Sequence, residues 1–385
     1  VAENVDRGAE TTHEADVDAG RIPRRQQPTM AASVLTPGLV TGVGSLPHHD
    51  PVAAARFSVA HAPGLPFLPE LPAAGRDGSL VGAAAASIPG VRMDADGELF
   101  VDEAALTAPP AGLDPGSSTG RCVAALAAAL ADDADRAGGD GRWRHVEADG
   151  VDVDAQPVKW QVCGPITLAL ALVEGGLGAD RALRVAVAAV RARTAAVHSA
   201  IAAALPHAPQ VVVLDEPGLV ALDHPSFPWA PDEAIDALAG SLAVAERANV
   251  VTGVHCCGPT DWSYVTDAGA TVLSMPVDQG LALTPPGTLA RHLDRGGWIA
   301  WGVVPTDRPI GTSAERWWHG LAEAWTHLAR AGVDPALLGT QALLTPACGF
   351  AHHGVSQAAL VLELCAQLTE RVRSQAVATR ISLQG

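Results

Sequence analysis

Short runs dense in Val, Leu, Ile and Trp recur along the chain, each ended by Gly, Pro or a polar cluster and most followed by an Ala-rich stretch of helical character. Eight such runs read as strands: LVTGVGS (39–45), LPFLPEL (65–71), VKWQVCG (158–164), QVVVLDE (210–216), NVVTGVHC (249–256), TVLSMPV (271–277), WIAWGVV (298–304) and ALLTPACG (342–349). Helical periodicity fills 180–205, 231–248 and 313–332 between them. Strand and helix in alternation are the pattern of a parallel α/β protein, and eight strands predict a single closed (β/α)8 TIM barrel. The run 65–71 fits least well, because Pro66 and Pro69 within it and Pro63 before it supply no ladder donor.

Residues 1–33 are polar and without apolar periodicity, which predicts a disordered tail ahead of one barrel domain over 34–378. Within that domain 72–157 is rich in Gly, Asp, Pro and Ala and reads as an insertion carrying one helix at 118–137. No repeat of fixed period is present.

Composition narrows the partners. The 385 residues are 48% hydrophobic, enough for a large core, and carry a formal net charge of −17, which repels phosphate backbones and anionic lipid. Neither nucleic acid nor a membrane is the expected partner. Charge interrupts the Ala/Val/Leu stretches, and no stretch pairs a basic start with an apolar middle, so the expected setting is cytoplasmic. Six cysteines are few for this length, and a reducing compartment keeps them as thiols; the vicinal pair Cys256 and Cys257 could bridge only in a strained ring.

In a barrel of this kind chemistry sits where strands run out into the following loops. His255 and Cys257 stand two apart at such an end, so alternation points both side chains one way with Cα atoms about 6–7 Å apart. Zinc accepts imidazole and thiolate together, and Cys348 at the end of the last run could complete the set from across the rim. Cys256 points the other way and reads as a buried thiol. VVVLDEPGL brings Asp215 and Glu216 to another strand end, where an acid suits a substrate ammonium; neighbours on a strand face opposite sides, so one of the two is structural unless the backbone turns. The pairs His48-His49 and His352-His353 read as solvated loop residues, and TGVGS lacks the phosphate-binding fingerprint.

Taken in order, TGVGSLP, VCGPITLA, VLDEPGL, GVHCCG, GVVPTDRP and LLTPACGF resemble the motifs of the catalytic C-terminal barrel of cobalamin-independent methionine synthase, over residues 39 to about 370. The resemblance implies a TIM barrel of the uroporphyrinogen decarboxylase/methionine synthase-like superfamily. It implies Zn2+ held by His255, Cys257 and Cys348, with Ser45 and Asp215 holding the amino-acid end of homocysteine and Glu216 beside them. The implied reaction moves a methyl group to the homocysteine thiol, which coordination to zinc converts to a thiolate. Asp307 in PTDRP stands where the family has its histidine proton donor. The family's fourth zinc ligand, a glutamate, has no counterpart in SMPVDQ, where Asp278 is the nearest acid, and its folate-stacking aromatic is replaced by aliphatics in GPITLALAL. The methyl donor is accordingly either methyltetrahydrofolate or a methylcorrinoid. The alternatives are a corrinoid-linked zinc methyltransferase, a uroporphyrinogen decarboxylase-like enzyme, for which few arginines lie near the strand ends, and a zinc-binding barrel without turnover.

Overall fold

A computed structural model of the chain describes residues 34–109, 112–136, 145–146, 152–153 and 156–384. The expected disordered tail, apart from its junction with residue 34, lies outside the described residues. In chain order the strands are β1 Val91–Met93, β2 Leu99–Val101, β3 His145–Val146, β4 Asp152–Val153, β5 Val158–Cys163, β6 Gln210–Asp215, β7 Val251–His255, β8 Val272–Pro276, β9 Trp298–Val304 and β10 Ala342–Pro346. The last six form one curled parallel sheet in the order β10-β9-β8-β7-β6-β5, while β1 with β2 and β3 with β4 are small antiparallel pairs. Every residue of β5 to β10 is buried. That explains why these strands read as continuous apolar runs: helices cover one face and the other lines the interior, so neither needs polar side chains.

Parallel neighbours require a crossover, and helices supply each one. Pro165–Glu174 and Ala179–Ala204 follow β5, Pro231–Glu246 follows β6, Ser263–Asp267 follows β7, Pro286–Asp294 follows β8, and Glu315–Arg330 with Pro335–Thr340 follow β9. Val355–Gln384 returns after β10. The helices expected at 180–205, 231–248 and 313–332 end within two residues of those observed, and Ser118–Arg136 occupies the one expected at 118–137. Ala179–Ala204 is long and apolar enough, by length and composition, to cross a membrane. Here Ala182, Ala186, Ala189, Val190, Val197 and Ile201 pack it into the core, and Arg184 and Arg191 sit on its other side.

Two of the eight expected strands are corrected. Residues 39–45 and 65–71 are extended but form only isolated bridges, Val40 with Leu344, Phe67 with Lys159, and Ser45 with Glu70. Pro66 and Pro69 have no N–H for a ladder. Gly44 takes φ 152°, and a Cβ there would come within 2.3 Å of the Gln161 side chain. What hydrogen bonds remain are nonetheless directional. Thr41 N donates to Leu344 O at 3.1 Å, Leu68 N to Lys159 O at 2.8 Å, and Leu46 N to Glu70 O at 2.9 Å. The first segment therefore lies beside β10, the second beside β5, and the two touch each other where Ser45 and Glu70 meet.

Candidate metal centre

β7 ends on His255, and the chain turns directly afterwards through Cys256 and Cys257. His255 is buried, and its Cα is paired across the sheet with Ser274 of β8. The Ser274 hydroxyl lies 3.0 Å from His255 Nδ1, which leaves Nε2 as the free nitrogen. Nε2 is buried and has no hydrogen-bond partner. One ligand atom each from His255, Cys257 and Cys348 lies within 4.8 Å of the other two. Cys348 arrives from the loop after β10, where Gly349 packs so tightly on Ser45 that a Cβ would sit 3.0 Å from the serine's own. Phe350 N donates to Ser45 O at 2.8 Å, fixing that approach.

The electrostatics of the three suit a cation. A hydrogen bond from the Cys348 thiol, and then His255 close by, pull the Cys257 thiol down to about 4. The same hydrogen bond, with burial, pushes the Cys348 thiol well above its ordinary range. A buried imidazole nitrogen without a hydrogen-bond partner, a thiolate and a second thiol converge here, a donor set that a cation would complete by displacing the remaining thiol proton. Zinc fits this donor set, since it takes sulfur and nitrogen together and a three-ligand site leaves a coordination position for substrate. Cys256 takes no part: it is fully buried in the apolar core, its Sγ is 3.6 Å from Gly258 O, and burial pushes it up to about 12.

The group opens on a cavity of about 580 Å³ whose wall includes Ser45, Asp215, His255, Cys257, Cys348 and Asp307. Asp215 is 5% exposed, its Oδ1 has no partner, and burial raises its carboxyl against the pull of Lys159 and His255. Ser45 Oγ donates to Glu70 Oε2 at 3.1 Å, so Glu70 adds a carboxylate that sequence reasoning missed. The signal was an acid in an otherwise apolar run, LPFLPEL.

Glu216 is corrected. Expected beside Asp215 at the substrate, it is fully buried and turned toward the helix Pro165–Glu174. Its carboxylate accepts from Ile166 N at 2.9 Å, Thr167 N at 2.8 Å and Thr167 Oγ1 at 2.6 Å. The two N–H groups are among those that a helix start leaves without partners, and Gly164 at the cap has no side chain to serve them. Asp278 lies in the cavity wall but outside the three-ligand group, and its carboxylate is engaged by Arg308. Asp307 stands at the exposed rim, 3.8 Å from Arg308 Nε. His352 and His353 also border the cavity, the second held through Nε2 by Thr306 O at 2.5 Å.

Ser274 is the remaining member that the sequence did not single out. A hydroxyl on Nδ1 fixes the ring's orientation and tautomer, and loss of such a partner costs about 10–100-fold in metal affinity. Ser274→Ala is expected to weaken zinc binding by that factor in chelator competition with little change in fold; an unchanged affinity would remove Ser274 from the centre.

No family model matches the chain, and no curated protein matches it. Among solved structures, a B12-independent methionine synthase from Shewanella sp. W3-18-1 in complex with selenomethionine is similar at 16% identity and a TM-score of 0.42, over 58% of this chain and 64% of that one. The chain thus spans less than two thirds of that protein. A methyltransferase from Methanosarcina mazei is similar at 16% identity and a TM-score of 0.49, over 89% of this chain and 99% of that one. An oxaloacetate acetylhydrolase in complex with oxalate matches at 11% identity and a TM-score of 0.31, over 90% of this chain and 93% of that one.

Proposed function

We propose that the chain is a zinc-dependent methyltransferase that moves a methyl group to a thiol, with homocysteine the acceptor and methionine the product. The observation that carries this reading is the meeting of His255, Cys257 and Cys348 ligand atoms within 4.8 Å in the wall of a cavity that also holds Ser45 and Asp215. In the same proposal the segments 39–45 and 65–71 complete an eight-membered (β/α)8 ring with the six strands, and 72–157 is an insertion in a barrel domain spanning 34–378. The isolated bridges of both segments support that closure. The setting that suits the cysteine thiols is cytoplasmic.

Zinc bound by the three residues would supply the positive charge that brings a substrate thiol to its thiolate near neutral pH. The rest of the chemistry belongs to the chain. Ser274 holds the His255 ring so that Nε2 faces the two sulfurs. Asp215, with an oxygen lacking any partner, would offer an ammonium group an anionic contact in the cavity wall, beside Ser45, which Glu70 holds from behind. The substrate would then be held by both ends, its sulfur at the ligand group and its amine at Asp215, which is the positioning that in-line methyl transfer needs. Asp307, at the rim, would give the proton that methyltetrahydrofolate takes up on losing its methyl group, whereas a methylcorrinoid as donor would need none.

Elemental analysis of the purified full chain is expected to find one zinc per polypeptide. Addition of L-homocysteine should release a proton and change the visible spectrum of the cobalt-substituted protein, and methionine should form with one of the two donors. A metal-free preparation with full activity would overturn the reading.

A further inference from the structure

The wall of the cavity is built from nearly every sector of the ring. Segment 39–45 supplies Ser45, β6 supplies Asp215, and the ends of β7 to β10 with the loops after them supply most of the rest. Segment 65–71 and β5 stand between Ser45 and Asp215 in the order of the sheet, yet among the described residues neither supplies a wall residue. Their sector is closed instead by Leu80, which comes from the stretch 72–157.

Leu80 opens the helix Leu80–Ala85, which packs on β5 and on the helix Pro165–Glu174 that follows it. The chain that brings it there starts directly after Glu70. Two 3-10 turns, Pro72–Ala74 and Arg76–Gly78, make up the path, and Gly78 passes so close to Leu71 that a Cβ would lie 2.1 Å from the Leu71 carbonyl oxygen. Ser79 caps the helix, its Oγ accepting from Gly82 N at 3.2 Å and donating to Arg76 O at 2.9 Å. Asp77 accepts from Ser118 N at 2.8 Å, which ties the turns to the helix Ser118–Arg136. Leu80 is thereby held, half-buried, in the sector between Ser45 and Asp215.

An ammonium group brings three N–H donors and needs acceptors for them. Asp215 Oδ1 is buried and without a partner. Ser45 Oγ gives its hydrogen to Glu70 Oε2, so its lone pairs remain to accept. Leu80, between these two acceptors, has only methyl groups to present. We propose that Leu80 is a specificity-determining residue, which closes the amine end of the cavity so that the substrate must present a primary ammonium there and excludes amino-acid thiols whose nitrogen carries a further carbon. The proposal rests on the function proposed above, and it gives the stretch 72–157 a part in the site.

N-methylation of the amine is the test, because N-methyl-L-homocysteine keeps the positive charge and two N–H donors, one for Asp215 and one for Ser45, and adds only bulk. Calorimetric titration of the zinc-loaded full chain is expected to find it bound about ten- to hundredfold more weakly than L-homocysteine, the range for one carbon that a pocket does not accommodate. In Leu80→Ala that ratio should fall about tenfold. In Leu80→Phe, which narrows the same sector, L-homocysteine itself should bind about tenfold more weakly. A wild type that binds both ligands alike, or a ratio that Leu80→Ala leaves unmoved, would overturn the proposal. If Leu80→Ala does not fold, Leu80→Phe decides it, and undiminished L-homocysteine affinity there overturns it. L-Methionine and N-methyl-L-methionine are titrated in parallel. If wild type binds no L-homocysteine yet discriminates between these two through Leu80, the thiol reading fails alone; if it binds none of the four, both fail.

Discussion

Serine in place of Cys257 is expected to strip the centre of its metal while leaving the fold in place. Cys257 is the sulfur that accepts a hydrogen bond from the Cys348 thiol and adjoins His255, and the one whose thiol is pulled down to about 4. A serine hydroxyl neither ionises there nor offers a soft donor. With zinc affinities of 10–16 kcal/mol spread over three or four ligands, loss of one ligand costs about 3–4 kcal/mol, or roughly a hundred- to thousandfold in zinc affinity. Cys257 is half-buried on the cavity side, so the melting temperature of the metal-free protein should hardly move. The neighbouring residue provides the control. Cys256→Ser buries a hydroxyl in an apolar core at a cost of about 1–3 kcal/mol but should retain its zinc. Chelator competition and thermal melts on the two variants separate ligand from core. Wild-type zinc affinity in Cys257→Ser would remove the centre from consideration.

That contrast between adjacent cysteines was legible in the sequence because a strand has period two and its end has a direction. The same physics made β5 to β10 legible, since strands covered on both faces must be apolar throughout. Legibility failed where backbone regularity failed. Residues 39–45 carry Gly42 and Gly44, and residues 65–71 carry Pro66 and Pro69; a run of the right hydrophobicity cannot reveal that its ladder is replaced by bridges and by donors from Lys159 and Gln161. Alternation likewise said that Asp215 and Glu216 face apart, yet not which one faces the cavity, because that depends on where the last paired residue of β6 falls. Ser274, a small polar residue in an apolar run, had no local reason to stand out until His255 was seen opposite it.

Glu216→Ala is expected to be among the most destabilising single changes in the chain, and its pH dependence should reveal which of two opposing effects governs the carboxyl. The side chain is fully buried and serves three donors at the start of Pro165–Glu174. Gly164 is glycine for this reason, since a Cβ there would lie 2.1 Å from the Glu216 carboxyl carbon. Truncation leaves the donors unserved and a void behind, a loss of about 4 kcal/mol at acid pH. The three donors favour the ionised form, whereas burial without a cation penalises it, and burial prevails: the carboxyl moves from 4.5 up to about 7. Because the folded state then binds the proton more tightly than the unfolded chain, the stabilisation by Glu216 is fully present below pH 4.5 and is lost as pH rises through about 7. The difference in unfolding free energy between wild type and variant should accordingly shrink by about 3 kcal/mol across that interval. Denaturant unfolding at a series of pH values measures it. A difference that stays constant from pH 4.5 to 8 would mean that the helix-start donors outweigh desolvation and hold the carboxylate ionised throughout.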